Sequence, residues 1–285
     1  GEPVGPGQGW QDLRTLGDCL VLQAEGLRFA PNQSATKARN LLDLADPDRS
    51  RGLLVGTVDS WIVWHLTEGT AHVTDPSNAG LTGLFSIATL DWEPSLLDAL
   101  TIPAAAMATI VDSSADIAAA TALPGAPIVR GIAGDQQASL LGQGCVRPGD
   151  AKITFGTGGM LDLITGDAQP ADAARGAHGT FPIIASRRDG RVTWGTEAIM
   201  LSAGTCVEWL RDDLGIIDDA AASHSIAAQC ADTDGVVFVP ALLGLGTPDW
   251  DYGARGTLLG LTRGSGRPHI VRAVLEGVAQ RGADL

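Results

Sequence analysis

The sequence predicts an α/β fold, and three observations carry that expectation. Ala126 to Ala133 (Ala-Pro-Ile-Val-Arg-Gly-Ile-Ala) is an apolar, β-branched run that ends in Gly134-Asp135-Gln136-Gln137 and passes into the Ala/Leu-rich start of a helix. Further on, Lys152-Ile-Thr-Phe, Gly156-Thr157-Gly158-Gly159 and Met160-Leu-Asp-Leu-Ile-Thr have the shape strand, tight glycine turn, strand. Third, 285 residues with 45 % hydrophobic content suffice for a sizeable core, in one large domain or two smaller ones.

Taken in order, residues 1–9 are a Gly/Pro-rich connector. Trp10 to Ala30 reads as a helix and its loop. Ser34 to Leu44 opens on Ser and Thr before strong helix formers, the usual start of a helix. Leu53 to Leu66 is apolar, with Trp61 and Trp64 placed for core packing on a helix. Thr74-Asp-Pro-Ser-Asn-Ala-Gly is a loop in which Asp75 caps a turn and receives no chemistry, and a strand region from Leu84 to Trp92 follows. Pro94 to Leu100 and Pro103 to Ala108 are short helices with proline near the first turn. Ala115 to Ala122 carries little signal.

A boundary is expected between Gly144 and Gly149, dividing the chain into residues 1–146 and 147–285. Beyond it, Ala151–Ile164 is a hairpin candidate. Thr180–Ile184 and Arg191–Trp194 are strands about the turn Arg188-Asp-Gly-Arg. Ala198 to Leu214 reads as a helix, and Gly204 inside it costs about 1 kcal/mol against Ala, so a packing or ligand reason is expected. Gly235-Val-Val-Phe-Val-Pro is a buried strand, and Arg272 to Leu285 a helix without a cap at its end.

A net charge of -14 supplies no basic face for nucleic acid. Cys19, Cys145, Cys206 and Cys230 lack any paired spacing and read as free buried thiols of a reducing compartment. The five histidines show no metal spacing, so no protein-held metal site is expected. Without an apolar run long enough to span a bilayer or a secretory leader, the expected location is cytoplasmic. Lys37 and Lys152 are the only lysines among 19 basic residues, which reads as coding bias.

At a strand-to-helix turn the Asp135 carboxylate lies beside free helical N–H groups and faces the crevice where α/β folds bind ligands. Read alone, it serves equally as an N-cap. Likewise Gly156-Thr157-Gly158 can approach an anion closely or be an ordinary hairpin turn. Together, the two motifs resemble the FGGY family of carbohydrate kinases, the glycerol kinase branch in particular. The resemblance extends through Trp10–Thr15, Ser34-Ala-Thr-Lys37, Leu53–Trp64, Val73–Ala79 and Leu90-Asp-Trp92. It continues through Gly244-Leu-Gly-Thr-Pro-Asp-Trp-Asp251, Ala254–Gly264 and His269–Glu276.

The resemblance implies an actin-like, ribonuclease-H-like two-domain kinase fold, incomplete in this chain, whose halves close over a small polyol or sugar. It implies ATP and Mg²⁺ as cofactors, Asp135 as general base, and Gln136, Asn32 and Met160 at the substrate. Gly156, Thr157 and Gly158 would face the phosphates, with Gly204 and Glu208 near the nucleotide. The family's Asp-Gly-Thr phosphate loop and Arg-Glu substrate pair would precede Gly1, and its adenosine loop would follow Leu285. The chain alone is therefore expected to turn over negligibly. A homo-oligomer is left open, as are a non-catalytic ligand-binding relative and a kinase of another sugar such as xylulose.

Departures from the glycerol kinase pattern concern the substrate. Asn32 and Gln33 stand where the branch has a Tyr-Phe pair, Met160 where it has Phe, Asn40 where it has Trp and Glu208 where it has Gln. An apolar wall is thus replaced by polar and flexible groups. A negative Glu208 beside ATP would be unfavourable unless it meets Mg²⁺ or points away.

Overall fold

The computed structural model describes residues 2–10, 12–171, 176 and 178–285, so Gln11 of the Trp10–Thr15 motif lies outside the described residues. The chain forms two compact units. The first comprises residues 1–144, 165–173 and 183–195; the second comprises 145–164, 174–182 and 196–285.

The first unit opens without regular structure and then forms α1 (Leu16–Ala24), α2 (Ser34–Ala45) and α3 (Val58–Leu66). Gln33, not Ser34, holds the capping position of α2, and its side chain makes no cap bond. The core here joins Leu22, Ala35, Ala38, Leu42, Leu84, Leu97, Leu100 and Ile102. Trp61 does not join it: the side chain is 45 % exposed and meets His65 edge-on at 4.1 Å. Only Ser60 and Val63 of α3 are buried, because the helix is short and apolar on every face while one face alone meets the unit's core.

Strand β1 (Val73–Thr74) leads into α4 (Pro76–Ala79), and β2 (Phe85–Ser86) and β3 (Asp91–Trp92) form a small hairpin before α5 (Pro94–Ala99). β4 (Thr109–Ile110) pairs in parallel with β1. The low-signal stretch after it is a strand, β5 (Ser114–Ala119). It pairs antiparallel with β6 (Ile128–Gly131), which runs into α6 (Asp135–Gly142). Alanines weaken the alternation that marks a strand, so the neighbouring strands assign β5, not its own residues.

The second unit contains the hairpin of β7 (Ala151–Phe155) and β8 (Gly159–Gly166), in register from Ala151↔Leu163 to Phe155↔Gly159. β9 (Phe181–Arg188) and β10 (Arg191–Met200) carry the chain through both units. Between them Asp189 and Gly190 take positive φ of 51° and 73°, the backbone of a two-residue hairpin turn. β10 reaches Met200, which displaces the helix expected from Ala198. Helical structure begins only at α7 (Gly204–Glu208) and continues as a π-type turn over Trp209–Asp213. Ala198 and Met200 are buried by strand alternation, so period two prevails over period 3.6.

α8 (Ala222–Ala227) follows, then β11 (Val237–Val239), antiparallel to β12 (Thr257–Leu259), and α9 (Arg267–Asp284). β11 is half-buried instead of buried: Phe238 is 3 % exposed and Val237 48 %. A second core gathers Cys206, Leu210, Ile217, Val236, Phe238, Val271 and Val274. The Gly244–Asp251 motif is structural in this unit. The Thr247 hydroxyl accepts the Ile199 N–H at 3.0 Å and donates to the Gly179 carbonyl at 3.1 Å, while the Arg281 guanidinium donates to the Thr247 carbonyl.

Lys152 and Asp162 face each other across the β7–β8 register, both side chains essentially fully buried and 2.6 Å apart. Removing one partner strands the other charge in a dry site. Lys152→Met should therefore lower stability by about 3–5 kcal/mol, and Lys152→Met with Asp162→Leu should recover most of it. Urea denaturation of the single and double variants measures the difference.

In the first unit Arg187 Nε donates to Asp112 at 2.5 Å, and the Gly190 N–H donates to the same carboxylate at 3.0 Å. Desolvation pushes the Asp112 pKa up, but these donors outweigh it and hold it below the usual carboxylate value. A depressed folded pKa contributes stability above the unfolded value of about 3.9 and loses it as pH falls through the folded one. Asp112→Asn should thus lower Tm at pH 7 and flatten the loss of Tm below about pH 4.

Candidate functional site

In the first unit, β6 delivers the chain to Gly134, which holds the capping position of α6, and Asp135 is the first helical residue. Gly134, not Asp135, therefore holds the cap position. Its carboxylate is exposed, and its Oδ1 accepts the Gln136 N–H at 2.9 Å. Gln136 is half-buried beside it.

Asn32 is exposed on the loop before α2, and among the described residues no hydrogen bond joins it to the Asp135 turn. Its neighbour Gln33 turns inward, Oε1 accepting the Ala30 N–H at 2.9 Å. Of the Asn32–Gln33 pair, Asn32 is the exposed residue and Gln33 is half-buried. Lys37 holds this loop from beneath. Its buried ammonium donates to the carbonyls of Pro31 and Gln33, which flank Asn32, and desolvation lowers its pKa.

Asp75 does more than cap. It accepts the Asn78 N–H at 3.1 Å as the capping residue of α4, but it is also fully buried. It takes the hydroxyls of Ser77 at 2.8 Å and Ser113 at 2.5 Å as well. Burial pushes its pKa up, and these donors offset part of that rise. Ser77, Ser113 and the fully buried Gln137 received no role in the sequence reading. The available signal was a carboxylate followed by small hydroxyl residues, a pattern that ordinary turns share.

In the second unit, Gly156, Thr157 and Gly158 form the tip of the β7–β8 hairpin, with Gly156 and Thr157 exposed. The start of α7 is sewn to this tip. Gly204 donates to the Gly156 carbonyl at 2.7 Å, and Ala203 and Thr205 donate to the Thr157 carbonyl at 2.9 and 3.3 Å. A Cβ on Gly204 would lie 2.5 Å from the Gly156 oxygen, and one on Gly158 would lie 2.6 Å from the Met200 oxygen. Gly204 is therefore set by a close backbone approach, and at the first helical position it carries little of the mid-helix cost expected of it.

Among the described residues, no hydrogen bond engages the Thr157 or Gly158 N–H or the Thr157 hydroxyl. Backbone amides without a protein acceptor, in a turn whose glycines allow close approach, are the donor set that phosphate oxygens require. Met160 is half-buried opposite Thr154 on the same hairpin. Glu208 is exposed at the end of α7, close enough to Arg211 to raise its pKa, after the larger effect of Asp212. No group of three His, Cys, Asp or Glu side chains able to grip a metal ion occurs among the described residues. The described cysteines are free, and no helix among the described residues is long and apolar enough to cross a membrane.

Known proteins resemble this chain along its whole length. It is 44 % identical to the glycerol kinase of Shewanella sp. (strain ANA-3) over 303 residues, covering 100 % of this chain and 60 % of that protein. The chain thus spans about three fifths of the length of the curated relatives it matches. Among solved structures, Plasmodium falciparum glycerol kinase with ADP superposes with TM-score 0.83 at 27 % identity, over 96 % of this chain and 57 % of that one. A xylulose kinase from Rhodospirillum rubrum superposes with TM-score 0.73 at 26 % identity, over 94 % and 56 %. These neighbours carry the actin-like kinase fold that the resemblance implied. Residues 2–142 match the N-terminal domain and residues 151–284 the C-terminal domain of the FGGY carbohydrate kinases, and the chain belongs to that family.

Proposed function

We propose that the full-length protein transfers the γ-phosphoryl group of ATP to a hydroxyl of glycerol or of a related polyol or sugar. Residues 1–146 would form the substrate side and 147–285 the nucleotide side. The observation that carries this reading is the exposed Asp135 carboxylate at the first turn of α6, directly after a strand. The relatives named glycerol kinase and xylulose kinase support the reaction class.

Asp135 acts as the general base. It accepts the proton as the substrate oxygen attacks the γ-phosphorus and the bond to the bridging β–γ oxygen breaks, releasing ADP. A weakly basic carboxylate suffices, because the transition state is loose and positioning supplies most of the rate. Gln136 hydrogen-bonds a neighbouring substrate hydroxyl, and Asn32 and Met160 face the carbon skeleton. The free amides of Thr157 and Gly158, with the Thr157 hydroxyl, hold the β- and γ-phosphates, and Gly156 allows their close approach. Gly204 and Glu208 lie along the nucleotide. Mg²⁺ held on those phosphates would neutralise charge there, which suits a chain whose described residues offer no three-ligand cluster.

The exposed amide of Asn32, where the glycerol kinase branch has an aromatic ring, favours a second reading of the substrate as a more polar sugar of the xylulose type. Coupled ADP release across glycerol, erythritol, xylulose and ribulose separates the two.

Two outcomes are expected for the full-length protein. Asp135→Asn should lower kcat by about 10²–10⁴, the range for a positioned base, while leaving ligand-induced stabilisation intact. Retained turnover would remove Asp135 from the role. Gly204→Val, whose Cβ would press on the Gly156 oxygen, should raise KM for ATP by about tenfold or more and leave KM for the polyol within about twofold. Steady-state titration of each substrate reads the split.

A further inference from the structure

We propose that Asp75 and Ser77 are positioning residues, which hold the Gly134–Asp135 turn in the geometry that aims the Asp135 carboxylate. The proposal rests on the reading of Asp135 as the base and goes beyond it, naming what places that base.

The argument is one of donors and acceptors. Asp75 is fully buried, so its lone pairs must be met by donors from the protein. They are met by the Ser77 hydroxyl at 2.8 Å, the Ser113 hydroxyl at 2.5 Å and the Asn78 N–H at 3.1 Å. With its proton committed to Asp75, the Ser77 oxygen can only accept, and it accepts the Gly134 N–H at 3.0 Å. The Ser113 oxygen likewise accepts the Arg187 N–H at 2.9 Å, and the Ser113 carbonyl accepts the Ile132 N–H at 3.0 Å. One carboxylate thus orients two hydroxyls, and the residues around them tie down the chain at Ile132 and Gly134.

Gly134 is confined on a second side. A Cβ there would lie 2.5 Å from Gln137 Oε1, and Gln137 is itself fully buried. The peptide that leads into Asp135 is therefore held at its N–H by Ser77 and packed at its Cα by Gln137. A rigid approach matters because a carboxylate displaced by about 1 Å from a reacting hydroxyl loses most of its advantage.

The test is made on the full-length protein with Ser77→Ala, Ser77→Thr and Asp75→Asn, reading residue-resolved amide exchange at Gly134 beside steady-state kinetics. Ser77→Ala should speed exchange of the Gly134 amide by about tenfold or more, because its acceptor is gone. It should lower kcat by about 10- to 100-fold and leave KM for ATP within about twofold. Ser77→Thr, which keeps the oxygen, should restore both. Asp75→Asn should move both in the direction of Ser77→Ala, since an amide donates where the carboxylate only accepts.

Unchanged exchange and kcat in Ser77→Ala would overturn the proposal. So would a kcat loss no larger than the unfolded fraction measured by thermal melting. If Ser77→Ala does not fold, Asp75→Asn decides by the same two readouts. An active Asp135→Asn with fast Gly134 exchange in Ser77→Ala would remove the base and keep the anchor. An inactive Asp135→Asn with normal Ser77→Ala would do the reverse.

Discussion

Burying an ionisable carboxyl group is costly unless donors surround it, and around Asp75 that requirement organises a unit's worth of chain. The residue lies at the head of α4, yet its partners come from the Pro76–Ala79 turn and from Ser113. Through the two serine oxygens the constraint passes to Gly134 and Arg187, far along the sequence. Hydroxyls suit this junction because each can donate to the carboxylate and still accept from a backbone amide. A larger polar side chain would fill the site without turning a lone pair to the next strand.

The second unit solves a different problem, bringing backbone against backbone. The Gly156–Gly158 tip lies so close to the end of β10 and the start of α7 that a methyl group on Gly158 would enter the Met200 carbonyl oxygen and one on Gly204 the Gly156 carbonyl oxygen. The Gly156 and Thr157 carbonyls are taken by amides of Ala203, Gly204 and Thr205, while among the described residues no hydrogen bond engages the Thr157 and Gly158 amides. The hairpin is thus fixed by its acceptors and leaves its donors available. Its base is fixed by the buried Lys152–Asp162 pair.

That pair and Lys37 revise the reading of the lysine count. Both lysines are buried, one beside a carboxylate on a hairpin and one beneath two loop carbonyls. A compact ammonium on a thin stem fits such places, where a planar guanidinium fork would need more room and more acceptors. Composition shows the scarcity; burial shows what the two exceptions have in common.

Local chemistry made much of the chain legible. The strand-to-helix turn at 134, the glycine hairpin at 156–159, the helices from Ser34 and before Leu285 and the Asp189-Gly190 turn are written in residues whose backbone preferences act within a few positions. The family was legible for the same reason, since its motifs are local and ordered. Wherever the answer depended on a distant partner, local reading failed. Ala198 to Met200 is strand because of what it pairs with, Ser114–Ala119 is strand despite its alanines, and Trp61 stays outside because α3 offers only one face to the core. Asp75 read as a cap because nothing near it in sequence reveals Ser113 or Gly134. The sequence by itself determined which groups could do chemistry; only the tertiary structure decided which backbone amides and hydroxyls would hold them, because a hydrogen bond depends on separation in space and not along the chain.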